Sequence, residues 1–567
     1  MSSVGIDFGT TNSVLATYAT GRAEALEIDR PPADWAGLGF ARVLPTVMAL
    51  NSEGRCTFGW EAKTRTGEQL EAVKRLFREE EFVSLNGQQY VVEEIATMLF
   101  AHMKKRAVEQ GVDATKAVVT IPANSRGLAR YRTKLTAGMA GFQVLALINE
   151  PTAAAMAFSA HMPFDQRIMV VDWGGGTLDV TILQSEGGVF IEQASKGIQR
   201  LGGLDLDSRV AQRIVAATAE APTWTRAEKS QFRLAVEKAK ILLSTGESTN
   251  VELPRGGNFV LERAQLEHDI RPLVERVRQP IEQTLRDIST DSRAIDALVL
   301  VGGTCKIPYI RSLICETLGK DAVTGVDPMT AIAEGAAIAA AILTGEAPDN
   351  DFFVGTEHAL GTYVHNDSGP RTFSEIIPRN HKLPASRTKT FYPASPESTQ
   401  VLLDIVEGEP DSSESNVENV VLKTWPVPVD SSREDLADKG FDVTFNYDVD
   451  GILDVEVTDQ KTRETVLHDD VAFGVSQDKR GLVQIAKRAQ AAVDGGAIGA
   501  VEPRQGRDSR TMDLLQRARN RVIPFLDDLE AARIRHLVQD VESAAPGMQP
   551  SAVTALESAL QPFSYLF

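Results

Sequence analysis

Two stretches far apart in the chain repeat one design, and a repeat of this kind admits few folds. "VGIDFGTTNSVLATYA" and "MVVDWGGGTLDVTILQ" each run from an apolar strand into an aspartate (Asp7, Asp172), a bulky residue, glycine, small residues and threonine, then into a second strand. The copies lie roughly 165 residues apart, too far for a solenoid and right for two homologous lobes. Each sets a carboxylate at a strand end before a glycine-rich bend, where backbone N–H groups can converge on an anion without a Cβ in the way. Thr10, Thr11 and Thr177 add hydroxyl donors. A carboxylate beside a phosphate needs a cation between them, and Mg2+ suits because it binds through few carboxylates plus waters and phosphates. Gly174, Gly175 and Gly176 alone are as compatible with a tight bend as with a ligand site. Paired with the first copy, they predict a polyphosphate gripped from two sides.

Two more glycine pairs extend the pattern. "ALVLVGGTCKIP" reads as a buried strand, then Gly302 and Gly303, then a helix entered after Pro308, which presents N–H groups to an anion or nucleoside. "LGGLDLD" places Gly202 and Gly203 before another helix. No G-x-x-x-x-G-K-[ST] loop is present, nor a G-x-G-x-x-G fingerprint opening a helix.

With 567 residues the chain is too long for one core. From residue 1 to 345 strand patterns (4–8, 117–121, 168–171, 297–301) alternate with helical ones (92–110, 125–140, 330–343), an α/β arrangement. Residues 346–356 read as a linker carrying an apolar plug of Phe352, Phe353 and Val354. From 357 to 475 alternating runs such as "FDVTFNYDVDGILDVEVTD" predict antiparallel strands, with Asp450-Gly451 as a hairpin turn. Residues 476–567 are helical, with Ser476 as N-cap and Asp478 in the first turn. There Leu514, Leu515, Ala518, Val522, Phe525, Leu526 and Leu529 form one apolar stripe, predicted to pack as helix–helix core. A formal charge of −19, from 59 basic and 78 acidic residues, argues against nucleic acid or an anionic membrane as main partner. Cys56, Cys305 and Cys315 have neither disulfide-framework nor metal-site spacing. No basic-then-apolar leader opens the sequence and no apolar run is long enough to span a bilayer, so the cytoplasm is the expected compartment.

Together these motifs resemble the actin/sugar-kinase/heat-shock ATPase superfamily and, more narrowly, the seventy-kilodalton heat-shock (DnaK-like) chaperones. The resemblance rests on "GIDFGTTNSVLA", "VVTIPA", "LINEPTAAAMAF", "VDWGGGTLDVTIL", "LGGLDLD", "EKAKILLS" and "LVLVGGTCKIPYI". It continues through "IIPRNHKLPASRTKTF" and "NYDVDGILDVEVTD". It implies a two-lobed α/β actin-like ATPase domain over 1–345, then an antiparallel β-sandwich that binds substrate over 357–475. A short C-terminal α-helical lid follows.

The resemblance also implies roles for particular residues. Thr10, Thr11 and Asn12 line the first phosphate loop, and Gly174, Gly175, Gly176 and Thr177 the second. Asp7 and Asp172 order Mg2+ through its waters. Lys74 positions or polarises the attacking water, with Glu150, Asp172 and Thr177 close to the chemistry. Gly202, Gly203, Glu237, Lys240, Ser244, Gly302, Gly303 and Lys306 complete the ATP/ADP site. Pro122, Arg130, Lys134, Asn149 and the plug at 352–354 couple nucleotide state to the β-domain.

The sequence departs from the family in places that matter. Gly127 stands where an acidic residue is expected and Ala146 where an arginine receives J-domain co-chaperones, which argues against a standard J-domain partner. Trimmed segments at 78–116 and 213–235 argue likewise against the usual nucleotide-exchange partners. The leading expectation is a slow, chaperone-type ATPase that binds unfolded or extended polypeptides. A nucleotide-switched scaffold dedicated to one client is the alternative, favoured by these departures. A small-molecule kinase lacks a candidate base for a sugar hydroxyl.

Overall fold

The computed structural model describes residues 3–51, 53–65, 69–77, 82–85, 88–123, 125, 127–159, 165–186, 189–218, 224–347, 356, 359–366, 369–379, 381–382, 384–408, 412–414, 419–448, 453–470, 479–496, 511, 514–515, 517–543 and 549–566. The expected linker plug at 352–354, the Asp450-Gly451 turn and the Ser476 cap lie outside them.

The repeat seen in sequence becomes a repeat in topology. In the first lobe Ser3–Phe8 pairs antiparallel with Asn12–Ala19 and parallel with Lys116–Ile121, which pairs in turn with Gln143–Asn149. In the second, Arg167–Trp173 pairs antiparallel with Leu178–Glu186 and parallel with Ala297–Val301. The parallel strands are continuous apolar runs because both of their faces are covered; all five residues of Ala297–Val301 are buried. Helices Glu150–Phe158 and Ala331–Leu343 fill the space between the sheets. They are rich in alanine, and a Cβ on Gly335 would overlap the Ala153 backbone, so their approach requires glycine there. Val118 and Ile148 of the first lobe share this core with Val170 and Val299 of the second.

Beyond the lobes lies a β-module of two four-stranded antiparallel sheets. Phe441–Tyr447 and Leu453–Asp459 alternate strictly, burying Phe441, Val443, Phe445, Leu453, Val455 and Val457. These residues share one core with Leu403, Ile405, Trp425 and Val427 of the other sheet.

Among the described residues, the C-terminal helices pack on the two lobes. None of their described residues joins the core of the two four-stranded sheets. Lys479–Val493 instead packs on Val92–Glu109 of the first lobe, adding Ala489, Ala492 and Val493 to that lobe's core. Arg488 forks onto the buried Glu94 carboxylate at 2.8 Å to each oxygen. This helix thereby covers part of the lobe that the sequence reads as trimmed. Leu514, Leu515, Ala518, Val522, Phe525 and Leu526 join the second-lobe core, as do Ile534, Val538, Leu560 and Tyr565. The predicted stripe fails at Leu529, which is 78% exposed. Its helix does not continue past Val522: Pro524 sits in a tight turn, Ile523–Phe525, Leu526 is extended, and a new helix, Asp528–Ser543, follows.

Candidate functional site

Both aspartate-led bends occupy the same position in their hairpins. Asp7 pairs with Val14 and Phe8 with Ser13, leaving Gly9 to Asn12 to turn the chain. Asp172 pairs with Asp179 and Trp173 with Leu178, so Gly174 to Thr177 form the second bend, closed by Gly174 N–H donating to the Thr177 carbonyl at 3.2 Å. The bends press against each other. A Cβ on Gly175 would overlap the Thr11 side chain, and one on Gly176 the Thr10 side chain. These glycines therefore admit the opposing threonines as well as baring backbone N–H groups.

The other two glycine pairs join the same floor. Gly203 N–H donates to Gly174 O at 3.0 Å, Leu204 N–H to Gly175 O at 3.0 Å, and Thr304 Oγ1 to Gly174 O at 2.8 Å. Gly302 has φ +83°, and a Cβ there would overlap the Trp173 carbonyl. Four glycine turns from separate parts of the chain thus form one continuous surface.

Above this floor lies a cavity of about 320 Å³. Thr10, Thr11 and Asn12 line it, as do Gly174, Gly175, Gly176 and Thr177. Asp7, Asp172, Lys74 and Glu150 converge on it, with Lys74 Nζ 2.6 Å from Glu150 Oε1. Burial and then the Glu150 charge push Asp7 up to about 7, against the opposing pull of Lys74 and a hydrogen bond from Thr120. Burial followed by the charges of Glu150, Asp179 and Asp7 holds Asp172 well above the usual carboxylate range. Several acids are thus crowded into a buried site with Lys74 as the cation acting on Asp7 and Asp172. Among the described residues no three acidic, His or Cys side chains come close enough to hold a metal by themselves. With Lys74 engaged by Glu150, the neighbouring Asp7 and Asp172 suit a divalent ion that keeps its waters and takes its remaining ligands from phosphate. Mg2+ fits that arrangement.

At the other end Gly302, Gly303 and Met329 line the cavity, whereas Gly202, Gly203, Glu237, Lys240, Ser244 and Lys306 do not. Several of these are engaged in pairs. Glu237 receives Lys63 Nζ of the first lobe at 2.7 Å, Lys240 Nζ lies 2.8 Å from Asp207, and Lys306 Nζ lies 2.8 Å from Asp327. Glu237 lines a smaller neighbouring recess with Lys63. Burial raises its carboxyl, but Lys63 and Lys240 outweigh burial and hold it below its ordinary value.

Of the expected coupling residues, Pro122 lines the cavity, while Asn149 sits at a junction of three parts. Its Nδ2 donates at 3.1 Å to Glu192 of the second lobe, which also accepts from Arg379 of the β-module at 3.4 Å. Arg130 lies close enough to act on Glu192 by charge, and its neighbour Tyr131 packs against the β-module core. Gly127 opens the helix Gly127–Met139 that carries Arg130 and Lys134. Ala146 is buried in the core between the lobes.

The sequence reading missed Glu192 and Arg379, which have no local motif, and it missed the arginines around the cleft. Arg75 follows Lys74 directly, and that adjacency was the available signal. Its guanidinium reaches Asp205 at 2.7 Å, the Gly176 carbonyl, and the Pro524 carbonyl at 2.6 Å. Arg200, Asp528 and Arg535 also line the cavity.

Two homologous lobes joined over a glycine floor, with paired Asp-Gly-Thr bends facing one cavity, define a two-lobed α/β module of actin-like type. Comparison with known proteins gives the family. The Hsp70 protein family model matches residues 71–561. The chaperone protein DnaK of Methanothermobacter thermautotrophicus is 32% identical over 481 residues, covering 81% of this chain and 78% of that protein. DnaK of Mycoplasmopsis agalactiae is 33% identical over 487 residues (81% and 77%), and that of Thermosipho africanus 34% over 483 (81% and 78%). This chain belongs to the Hsp70 family. Among its described residues no helix is long and apolar enough to cross a membrane.

Proposed function

We propose that the chain is an ATP-dependent chaperone that hydrolyses ATP slowly and uses the cycle to bind and release extended polypeptide segments. The observation that carries this reading is the convergence of the two Asp-Gly-Thr bends, Lys74 and Glu150 on one cavity in a chain of this family. The bends hold the phosphate chain through backbone N–H groups and the hydroxyls of Thr10, Thr11 and Thr177. When bound, Mg2+ supplies the positive charge that the crowded carboxylates and the phosphates both lack. Lys74, steered by Glu150, sets a second cation beside the terminal phosphate and offsets charge as it develops during attack by water. Gly302 and Gly303 receive the nucleoside.

Residues 357–475 form a β-sandwich that takes an extended client segment by strand-edge hydrogen bonds and side-chain pockets. The Asn149–Glu192–Arg379 junction supports coupling between lobes and β-module, because a change in lobe angle alters partners on both sides of one buried carboxylate. A single-turnover ATPase assay with and without an unfolded peptide tests the reading. Hydrolysis accelerated by peptide is expected; ATP binding with no turnover and no peptide effect would refute it.

A further inference from the structure

The C-terminal segment is built into the cleft. Three successive carbonyls of its turn are each taken by a donor of the lobes: Ile523 O by Arg200 at 2.5 Å, Pro524 O by Arg75 at 2.6 Å and Phe525 O by Ser208 at 2.9 Å. Arg209 pairs with Asp527 at 3.4 Å, and Arg276 with Asp528 at 3.8 Å. Tyr565 OH returns to the Ser208 carbonyl at 3.4 Å. The apolar side of the helix, with Ala531, Ile534, Val538 and Val541, is buried in the second-lobe core. Asp528 and Arg535 lie seven positions apart, about two turns, and so share a neighbouring stripe of the same helix. Both line the cavity that holds the two phosphate bends.

Where the helix meets the cavity follows from the neighbours of Asp528 and Pro524. Arg75, Arg200, Arg276 and Asp205 act electrostatically on Asp528. Arg75 adjoins Lys74 in sequence and bonds the Gly176 carbonyl of the second bend. Arg75 also holds the Pro524 carbonyl, so the chain enters this helix beside the Lys74–Glu150 end. A guanidinium delivered to that end faces the part of a nucleotide in which a triphosphate and a diphosphate differ. Arginine suits the task, because its planar fork binds phosphate oxygens in pairs.

We propose that Arg535, brought to the cleft by the C-terminal helix Asp528–Ser543, contacts the terminal phosphate of a bound nucleoside triphosphate and sets the preference of the site for triphosphate over diphosphate. Arg75 links this contact to the rest of the tail, since one guanidinium bonds the second lobe, the phosphate bend and the Pro524 carbonyl together. The tail thereby belongs to the nucleotide site. This inference rests on the nucleotide reading of the cavity given above.

Titration of the full chain with fluorescent ATP and ADP analogues, for the wild type and Arg535→Ala, tests it. ATP affinity is expected to fall at least about tenfold and ADP affinity by less than about threefold, as for loss of a charged contact made by one ligand alone. Arg533→Ala, an exposed neighbour on the same helix, is expected to change neither. Should Arg535→Ala fail to fold, Arg535→Gln, which keeps length and polarity, carries the same comparison. Equal losses for both nucleotides, or no change in either, overturns the assignment of Arg535 and leaves the nucleotide reading standing. A wild-type chain that binds neither nucleotide overturns both.

Discussion

The two ends of the cleft treat buried charge in opposite ways. At the Lys74 end, Asp7, Glu150, Asp172 and Asp179 crowd together with one lysine to oppose them, and burial raises the Asp7 and Asp172 carboxyls above the usual range. In the recess beside the Gly302 end, acids and bases match: Lys63 faces Glu237 and Lys240 faces Asp207. An excess of buried charge is costly unless something arrives to balance it, whereas a matched pair is complete without a ligand. The first end is therefore built to receive a charged ligand. The second is built to close, because the Lys63–Glu237 pair crosses from one lobe to the other.

The largest effect that would sharpen this contrast is expected from Lys74→Ala. Hydrolysis in a single-turnover assay should fall by about a hundredfold or more while ATP affinity changes by only a few-fold, since the lysine acts on charge that develops during reaction. Unchanged turnover would refute its role. Next comes Glu237→Gln, which strands Lys63 and loosens the cross-lobe contact. Nucleotide release measured by stopped-flow should quicken roughly tenfold, with the hydrolysis step little altered. Equal damage to hydrolysis from both substitutions would break the distinction between the two ends.

The smallest effect is expected away from the cleft. His102 is stacked on Phe58 at 4.7 Å, and desolvation with the nearby Arg106 and Lys105 charges lowers its pKa to about 3. The unfolded chain therefore takes up a proton at this residue below about pH 6.5 that the folded chain refuses. Stability from this group is present above that pH and is lost as pH falls, by about 2 kcal/mol between pH 7 and 5. His102→Leu should flatten the acid side of a thermal-unfolding profile over that window. A profile that keeps its full slope would refute this role of His102, and the cleft carboxylates cannot take its place. Those carboxylates act with the opposite sign: Asp7, raised to about 7, favours folding while protonated and loses that contribution as pH rises through 7.

The cleft was legible in the sequence because its grammar is local. An aspartate at a strand end, glycines and threonine within a few residues mark each bend, and the hairpin topology follows from the same text. The purpose of Gly175 and Gly176 was only half legible. Anion binding explains glycine in general, but the intrusion of Thr10 and Thr11 depends on how two distant hairpins face each other. The two four-stranded sheets followed from period-two alternation. The destination of the tail could not be read at all. A helical stripe says that a face is buried, and it does not name the partner; Leu514 and Val522 pack on the second lobe, not on neighbouring helices alone. The failure at Leu529 did have a warning, since Pro524 disfavours helix at the residue before it.

The second-lobe core draws on residues from Met169 to Leu566. A ribosome makes the chain from its N-terminus, so the strands and helices up to Ala322 emerge long before Leu514 to Leu566 can reach them. Through that interval the second lobe carries an uncovered apolar face, and the contacts that seal it are among the longest in sequence that the chain makes. Completion of the lobe is thus a late event in synthesis.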